Sequence, residues 1–130
     1  MKSAKPFLMF QGDALAAIGL YQSVFTSFET RQLDMKTDEE GNETGEVARA
    51  LVSMAGQELM ITDSPPVHDF TFTPSTSVFI ECDDETELET MAGTLAEGGQ
   101  VMMPPDDYGF SKRFAWVADR FGVSWQLNLS

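Results

Sequence analysis

The chain has 130 residues, 42% hydrophobic and 11% aromatic, which describes one compact soluble domain and excludes a disordered chain. Its 8 Lys+Arg against 21 Asp+Glu give a net charge of −13, spread from Asp13 to Asp119, so nucleic acid and anionic membranes are poor partners. The uncharged stretch between Asp13 and Glu29 is too short and mixed to span a bilayer, and the apolar run 7–10 is too short for a secretory signal; a cytoplasmic protein is expected.

Residues 7–10 (FLMF) read as a buried strand ending at the turn Gln11-Gly12. Asp13 suits a helix N-cap, and Leu15, Ile18, Tyr21 and Phe25 recur at helical spacing over 14–25. Residues 28–35 favour an extended segment, and 36–45 (KTDEEGNETG) a polar loop. Two more strands follow at 46–54 and 57–62, joined through Ala55-Gly56. The Pro-rich stretch DSPPVHDFTFTP (63–74) interrupts the pattern and reads as a connector.

After it, residues 77–82 predict a strand. Asp84 with Glu87 forms a capping-box pattern, opening a helix whose Leu88, Met91, Ala92 and Leu95 make one apolar stripe. Gly98-Gly99 ends that helix. Strands at 100–103, 112–118 and 123–129 follow, with a loop at 104–109 and a turn at 119–122. The order strand, helix, strand, strand, strand thus occurs twice, and RALVSMAG (49–56) lies over RFAWVAD (113–119). Two such helices are too few for parallel crossovers throughout, so the expected class is α+β: two paired βαβββ modules with mixed sheets. The modules span about 5–63 and 76–130, with a connector at 64–75.

Two βαβββ halves of this length resemble the vicinal-oxygen-chelate superfamily of glyoxalase I, extradiol dioxygenases and bleomycin-resistance proteins. FLMFQGDA (7–14), YQSVF (21–25), FTPSTS (72–77), GGQVMMP (98–104) and, most specifically, WVADRFGVSWQ (116–126) resemble its PhnB-like branch. Members of that branch bear the description 3-demethylubiquinone-9 3-methyltransferase. This sequence has no Gly-rich loop between a strand and a helix to cradle S-adenosylmethionine. The resemblance implies a homodimer, a sheet curled into a cup in each module and, in metal-binding members, His or Glu on the first and last strand of each module. Those places fall at or beside Pro6 and at Met60, Ser77 and Gln126, none of which is a good ligand for a divalent ion. No metal and no cofactor are therefore expected.

Strand alternation then gives a lining. Gln126 turns inward with Ser124 and Asn128, Ser77 with Phe79 and Glu81, Met60 with Glu58 and Thr62, and Leu8 with Phe10. Phe114 and Trp116 are candidates for a stacking wall, and Tyr108 for a residue that closes over the cup. The ligand-pocket candidates are thus Gln126, Ser77, Phe79, Phe10, Met60, Phe114, Trp116, Ser124 and Tyr108, a mixture suited to a compact uncharged organic molecule.

With one Cys and one His, a disulfide within the chain and a thiolate zinc cluster are excluded. His68, among prolines, suits loop packing better than general base catalysis, and Cys82, beside Asp83 and Asp84, suits inert packing because those charges raise its pKa. The acidic turn Asp83 to Glu89 reads as a solvated helix start, not a cation site. Trp125 reads as core, and Asp119 as the cap of a tight turn. Two functions stay open. One is a metal-independent binder that sequesters or transports its ligand; the other is a metal-independent lyase, isomerase or transferase in which Gln126 and Ser77 polarise a carbonyl. A metal-dependent lyase or dioxygenase fits least.

Overall fold

A computed structural model describes residues 1–130. The chain forms two compact units, Met1–Asp69 and Phe70–Ser130, each a βαβββ module with its own four-stranded mixed sheet.

In the first unit β1 (Phe7–Phe10), α1 (Ala14–Val24), β2 (Phe28–Thr37), β3 (Glu43–Met54) and β4 (Gln57–Asp63) give the sheet order β1-β4-β3-β2. β1 runs parallel to β4, and the other neighbours are antiparallel. Strands β2 and β3 together take both ends of the polar stretch 36–45, leaving 38–42 as the turn, because their hairpin pairs as far out as Thr37 with Glu43. The β3–β4 turn places Ala55 at φ 48° and Gly56 at φ 86°, both left-handed, as a two-residue hairpin matching the strand twist requires. α1 packs on β2, β3 and β4, burying Ala14, Ala17, Ile18 and Tyr21 against the sheet face that carries Ala50, Val52, Leu59 and Ile61.

The cap of α1 differs from the sequence expectation. Asp13 makes no side-chain cap. Asp63, at the end of β4 and only 2% exposed, takes the Gly12 N–H at 2.8 Å and the Ala14 N–H at 3.0 Å on Oδ1, and the Val47 N–H at 2.8 Å on Oδ2. A carboxylate distant in sequence takes the first orphan donor of the helix and the Gly12 N–H before it and ties them to β3, in the place that local spacing gives to Asp13.

In the second unit β5 (Ser77–Glu81), α2 (Glu85–Ala96), β6 (Gln100–Asp106), β7 (Arg113–Ala118) and β8 (Ser124–Leu129) repeat the arrangement in the order β5-β8-β7-β6. Asp84 caps α2 by accepting the Glu87 N–H at 2.8 Å. The reciprocal bond comes from Asp83, whose N–H reaches Glu87 Oε1 at 2.9 Å, one residue earlier than a capping box places it. β6 runs through Pro104 and Pro105, where a loop was expected. It is an edge strand paired only with β7, and the ladder with β7 is irregular between Met103 and Asp106, the stretch that holds both prolines, which is where a sheet tolerates the missing donors.

α2 covers one face of this sheet. Arg113 pairs with Glu85 and Glu89 of α2, and the residues in phase with it, Ala115 and Val117 on β7 and Trp125 and Leu127 on β8, are completely buried. Trp125 is thus core. Asp119 organises the β7–β8 turn: Oδ1 accepts from Phe121 N and Val123 N, Oδ2 from the Trp125 indole at 3.0 Å, and Gly122 completes the turn at φ 93°.

Candidate functional site

The other face of the second sheet is not covered by α2. Pairing in register puts Ser77 beside Ser124, Phe79 beside Gln126 and Glu81 beside Asn128, while across β8 Trp116 lies opposite Gln126 and Phe114 opposite Asn128. Met103 of β6 lies opposite Trp116. Strand parity therefore places Ser77, Phe79, Ser124, Gln126, Phe114 and Trp116 on one surface.

Four of these side chains form a connected neutral chain. The Trp116 indole N–H donates to Ser124 Oγ at 2.8 Å, the Ser124 and Ser77 hydroxyls share a 2.6 Å bond, and Gln126 Nε2 donates to Ser77 Oγ at 3.3 Å. Ser124 is buried, which a lone hydroxyl tolerates only with partners, and here it has two. Beside the chain Phe79 stays 56% exposed, a large ring left in water next to the half-buried Gln126 and Ser77. Farther along, the Glu81 carboxylate is engaged by Asn128 Nδ2 at 2.7 Å and Ser130 Oγ at 3.0 Å, and Asp106 of β6 lies opposite Phe114 in the same row.

The segment after β6 folds onto the same face. Phe110 and Tyr108 approach Phe114 edge-on, with ring centroids at 5.0 and 6.2 Å, and the Tyr108 hydroxyl donates to the Pro104 carbonyl. Phe114 is buried under this pair, while Phe110 remains exposed.

Two of the expected lining residues lie in the first unit, and one is misplaced by parity. The register Phe7 with Met60 and Leu8 with Ile61 sets Phe7 and Met9 on the face of Met60, whereas Phe10, paired with Asp63, points to the α1 side and is buried there. A parallel pair can be read in either phase from sequence, and a one-residue slip inverts every side chain. Met60 itself shares its face with an ion-paired group, Lys5 and Arg31 both on Glu58 at 3.8 and 3.0 Å. Met103 and Phe110 escaped the sequence reading; the spacing of Phe110 two residues after Tyr108, flanking Gly109, was the available signal.

The donor set does not suit a divalent metal. The places at which the resemblance implies imidazole or carboxylate hold Pro6, Met60, Ser77 and Gln126, and the register neighbours of Met60 and Gln126 on the adjoining strands are Phe7 and Phe79, none of them a good ligand for a divalent ion. No three His, Cys, Asp or Glu side chains cluster so as to hold an ion. S-adenosylmethionine fits no better at the two strand–helix junctions. The Gly12 and Ala14 N–H groups that would face a cofactor already donate to Asp63, and the β5–α2 junction is lined by Asp83, Asp84 and Glu87.

Cys82 follows β5 and is buried. Desolvation first, then the Glu87, Glu81 and Asp83 carboxylates, push its thiol from 9.0 up to about 11, with a backbone hydrogen bond from Asn128 opposing. At pH 8 its thiolate fraction should be on the order of a hundredfold below that of an unfolded cysteine. Iodoacetamide should accordingly label Cys82 slowly in the native protein and promptly in urea, as mass spectrometry would show. Because the folded thiol holds its proton more tightly, stability should be unaffected below pH 9.0 and fall as the pH climbs from there to about 11.

Comparison with known proteins finds relatives of the chain. The model of the family described as 3-demethylubiquinone-9 3-methyltransferase matches residues 2–128. A PhnB protein from Bacillus cereus superposes with a TM-score of 0.90 at 41% identity, covering 99% of this chain and 100% of its own. Protein PA1353 from Pseudomonas aeruginosa gives 0.79 at 25% identity, with 98% of each chain covered. Protein YjdN of Escherichia coli K12 is 26% identical over 137 residues, 95% of this chain and 92% of that one. The fosfomycin resistance protein FosX of Listeria monocytogenes shares the fold at a TM-score of 0.67 and 13% identity, covering 100% of this chain and 93% of its own. No helix of this chain is long and apolar enough to cross a membrane.

Proposed function

This chain belongs to the 3-demethylubiquinone-9 3-methyltransferase family, the PhnB-like branch of the glyoxalase superfamily, and from that premise we propose that it binds a compact, uncharged organic molecule without a metal ion. The observation that carries the proposal is the Trp116–Ser124–Ser77–Gln126 chain: neutral donors and acceptors, linked to one another, beside the exposed ring of Phe79. Rings supply area for stacking, and a few fixed polar groups supply orientation. A neutral amide and two hydroxyls are weak partners for a divalent ion but good ones for a carbonyl, an amide or a hydroxyl.

The proposal carries over the homodimer that the resemblance implies, for which light scattering should report a particle of two chains. Binding itself is tested by thermal shift with uncharged aromatic compounds and divalent metals, each with and without a chelator. A ligand held by the native state at 100 times its Kd adds about 2.7 kcal/mol to stability. Uncharged compounds should raise the melting temperature with chelator present, and Gln126→Leu should remove most of that rise. A rise produced only by metals and erased by the chelator contradicts the proposal.

A further inference from the structure

We propose that the face around Gln126 takes a flat, uncharged ring system whose edge carries an amide-type pair, one N–H donor beside one carbonyl acceptor. The inference rests on the reading of this face as a neutral ligand site and names the class of ligand.

The hydrogen-bond inventory of the chain supplies the argument. Trp116 spends its single indole proton on Ser124 Oγ. One hydroxyl proton lies between Ser77 and Ser124, so one seryl proton is left over whichever residue donates. Gln126 spends one of its two Nε2 protons on Ser77. What remains unpaired at the centre of the face is Gln126 Oε1, the second Nε2 proton and that one seryl proton. A carboxamide with its oxygen and one N–H both free is the complement of another amide edge, oxygen to N–H and N–H to oxygen. A ligand with acceptors alone leaves Oε1 unmatched, and one with donors alone leaves the N–H unmatched, at the cost that any desolvated orphan carries.

Flatness follows from the neighbours. Phe79 and Trp116 are the register neighbours of Gln126 on the two adjoining strands, which lie about 4.7–4.9 Å away on either side. Ring faces on both flanks of a planar amide favour a ligand that stacks while its edge meets the amide. Neutrality follows from charge. The groups around Gln126 are uncharged, Arg113 is turned to α2, and the carboxylates of the face stand one row away, Glu81 held by Asn128 and Ser130 and Asp106 opposite Phe114.

The test uses the whole chain, a chelator, and nuclear magnetic resonance of the two indole N–H groups. Trp125, buried beneath α2 and bonded to Asp119, is the internal control for Trp116. The probes are 2-quinolinone, a bicyclic lactam, its N-methyl derivative, which keeps the carbonyl and loses the donor, and 2-naphthoate, a flat anion. 2-Quinolinone should shift the Trp116 resonance saturably and leave Trp125 in place, the N-methyl compound should bind about tenfold or more weakly, and 2-naphthoate should not bind. Gln126→Met should abolish the preference for the lactam while the Trp125 resonance is unchanged. Equal affinity for the lactam and its N-methyl derivative overturns the amide-edge inference and leaves the neutral-site reading standing. A Trp116 resonance that answers no uncharged probe, or answers 2-naphthoate alone, overturns both.

Discussion

Asp119→Ala should destabilise the Phe70–Ser130 unit by about 3 kcal/mol or more, a large part of the margin by which a small domain stays folded. The carboxylate is 2% exposed and accepts from Phe121 N, Val123 N and the Trp125 indole, so its loss strands three donors, two on backbone that cannot move away. Asp119→Asn should cost about half as much. It keeps an oxygen for Phe121 and Val123 but sets an NH2 group against the Trp125 N–H. Both Trp residues belong to this unit, so urea unfolding followed by Trp fluorescence reports on it directly. An alanine variant as stable as the parent would show that the turn is held by other means.

Gly99→Ala is expected to cost about 2–3 kcal/mol or more by a different route. A Cβ there would come to 2.1 Å from the Ala118 carbonyl oxygen and 2.7 Å from the Asp119 carbonyl carbon, backbone atoms with no rotamer to escape into. The end of α2 would have to part from the end of β7. The same substitution at Gly93, inside α2 with nothing within 4 Å, is the control. It should stabilise by about 0.5–1 kcal/mol, because alanine is the better helix former. Denaturant midpoints for the two variants should move in opposite directions; a shared direction would mean that the close approach at Gly99 relaxes freely.

The α+β class and the doubled βαβββ order were legible because they rest on periodicity: a stripe of Leu88, Met91 and Leu95 for one helix, alternation for β8, and turn residues at Ala55-Gly56 and Gly122. What escaped the sequence reading depends on partners distant in the chain. Asp63 replaces Asp13 at the start of α1 because the parallel pairing of β1 with β4 brings a strand end to the helix. Phe10 faces the core and Phe7 the open side because the register, invisible locally, is set by the β4 neighbour. β6 continues through two prolines because it is an edge strand whose register with β7 shifts between Met103 and Asp106.

The candidate site divides the same way. Gln126, Ser77 and Ser124 were readable from parity on β5 and β8, and Trp116 from β7. Their connection into a single hydrogen-bonded chain was not, because it depends on which residues stand opposite one another across three strands. The role of Phe110 depends on the fold of the segment beyond β6, which brings it against Phe114.

The central claim is that neutral side chains around Gln126 form a ligand site that works without a metal. Manganese(II), added stepwise while the Trp116 indole resonance is observed, tests it most directly, since a paramagnetic ion seated among Ser77, Ser124 and Gln126 would broaden that signal. The account predicts that Trp116 keeps its line width at one equivalent of manganese and that an uncharged aromatic ligand still shifts it with chelator present. Loss of the Trp116 signal at one equivalent, restored by chelator, with ligand binding that requires the metal, would contradict it.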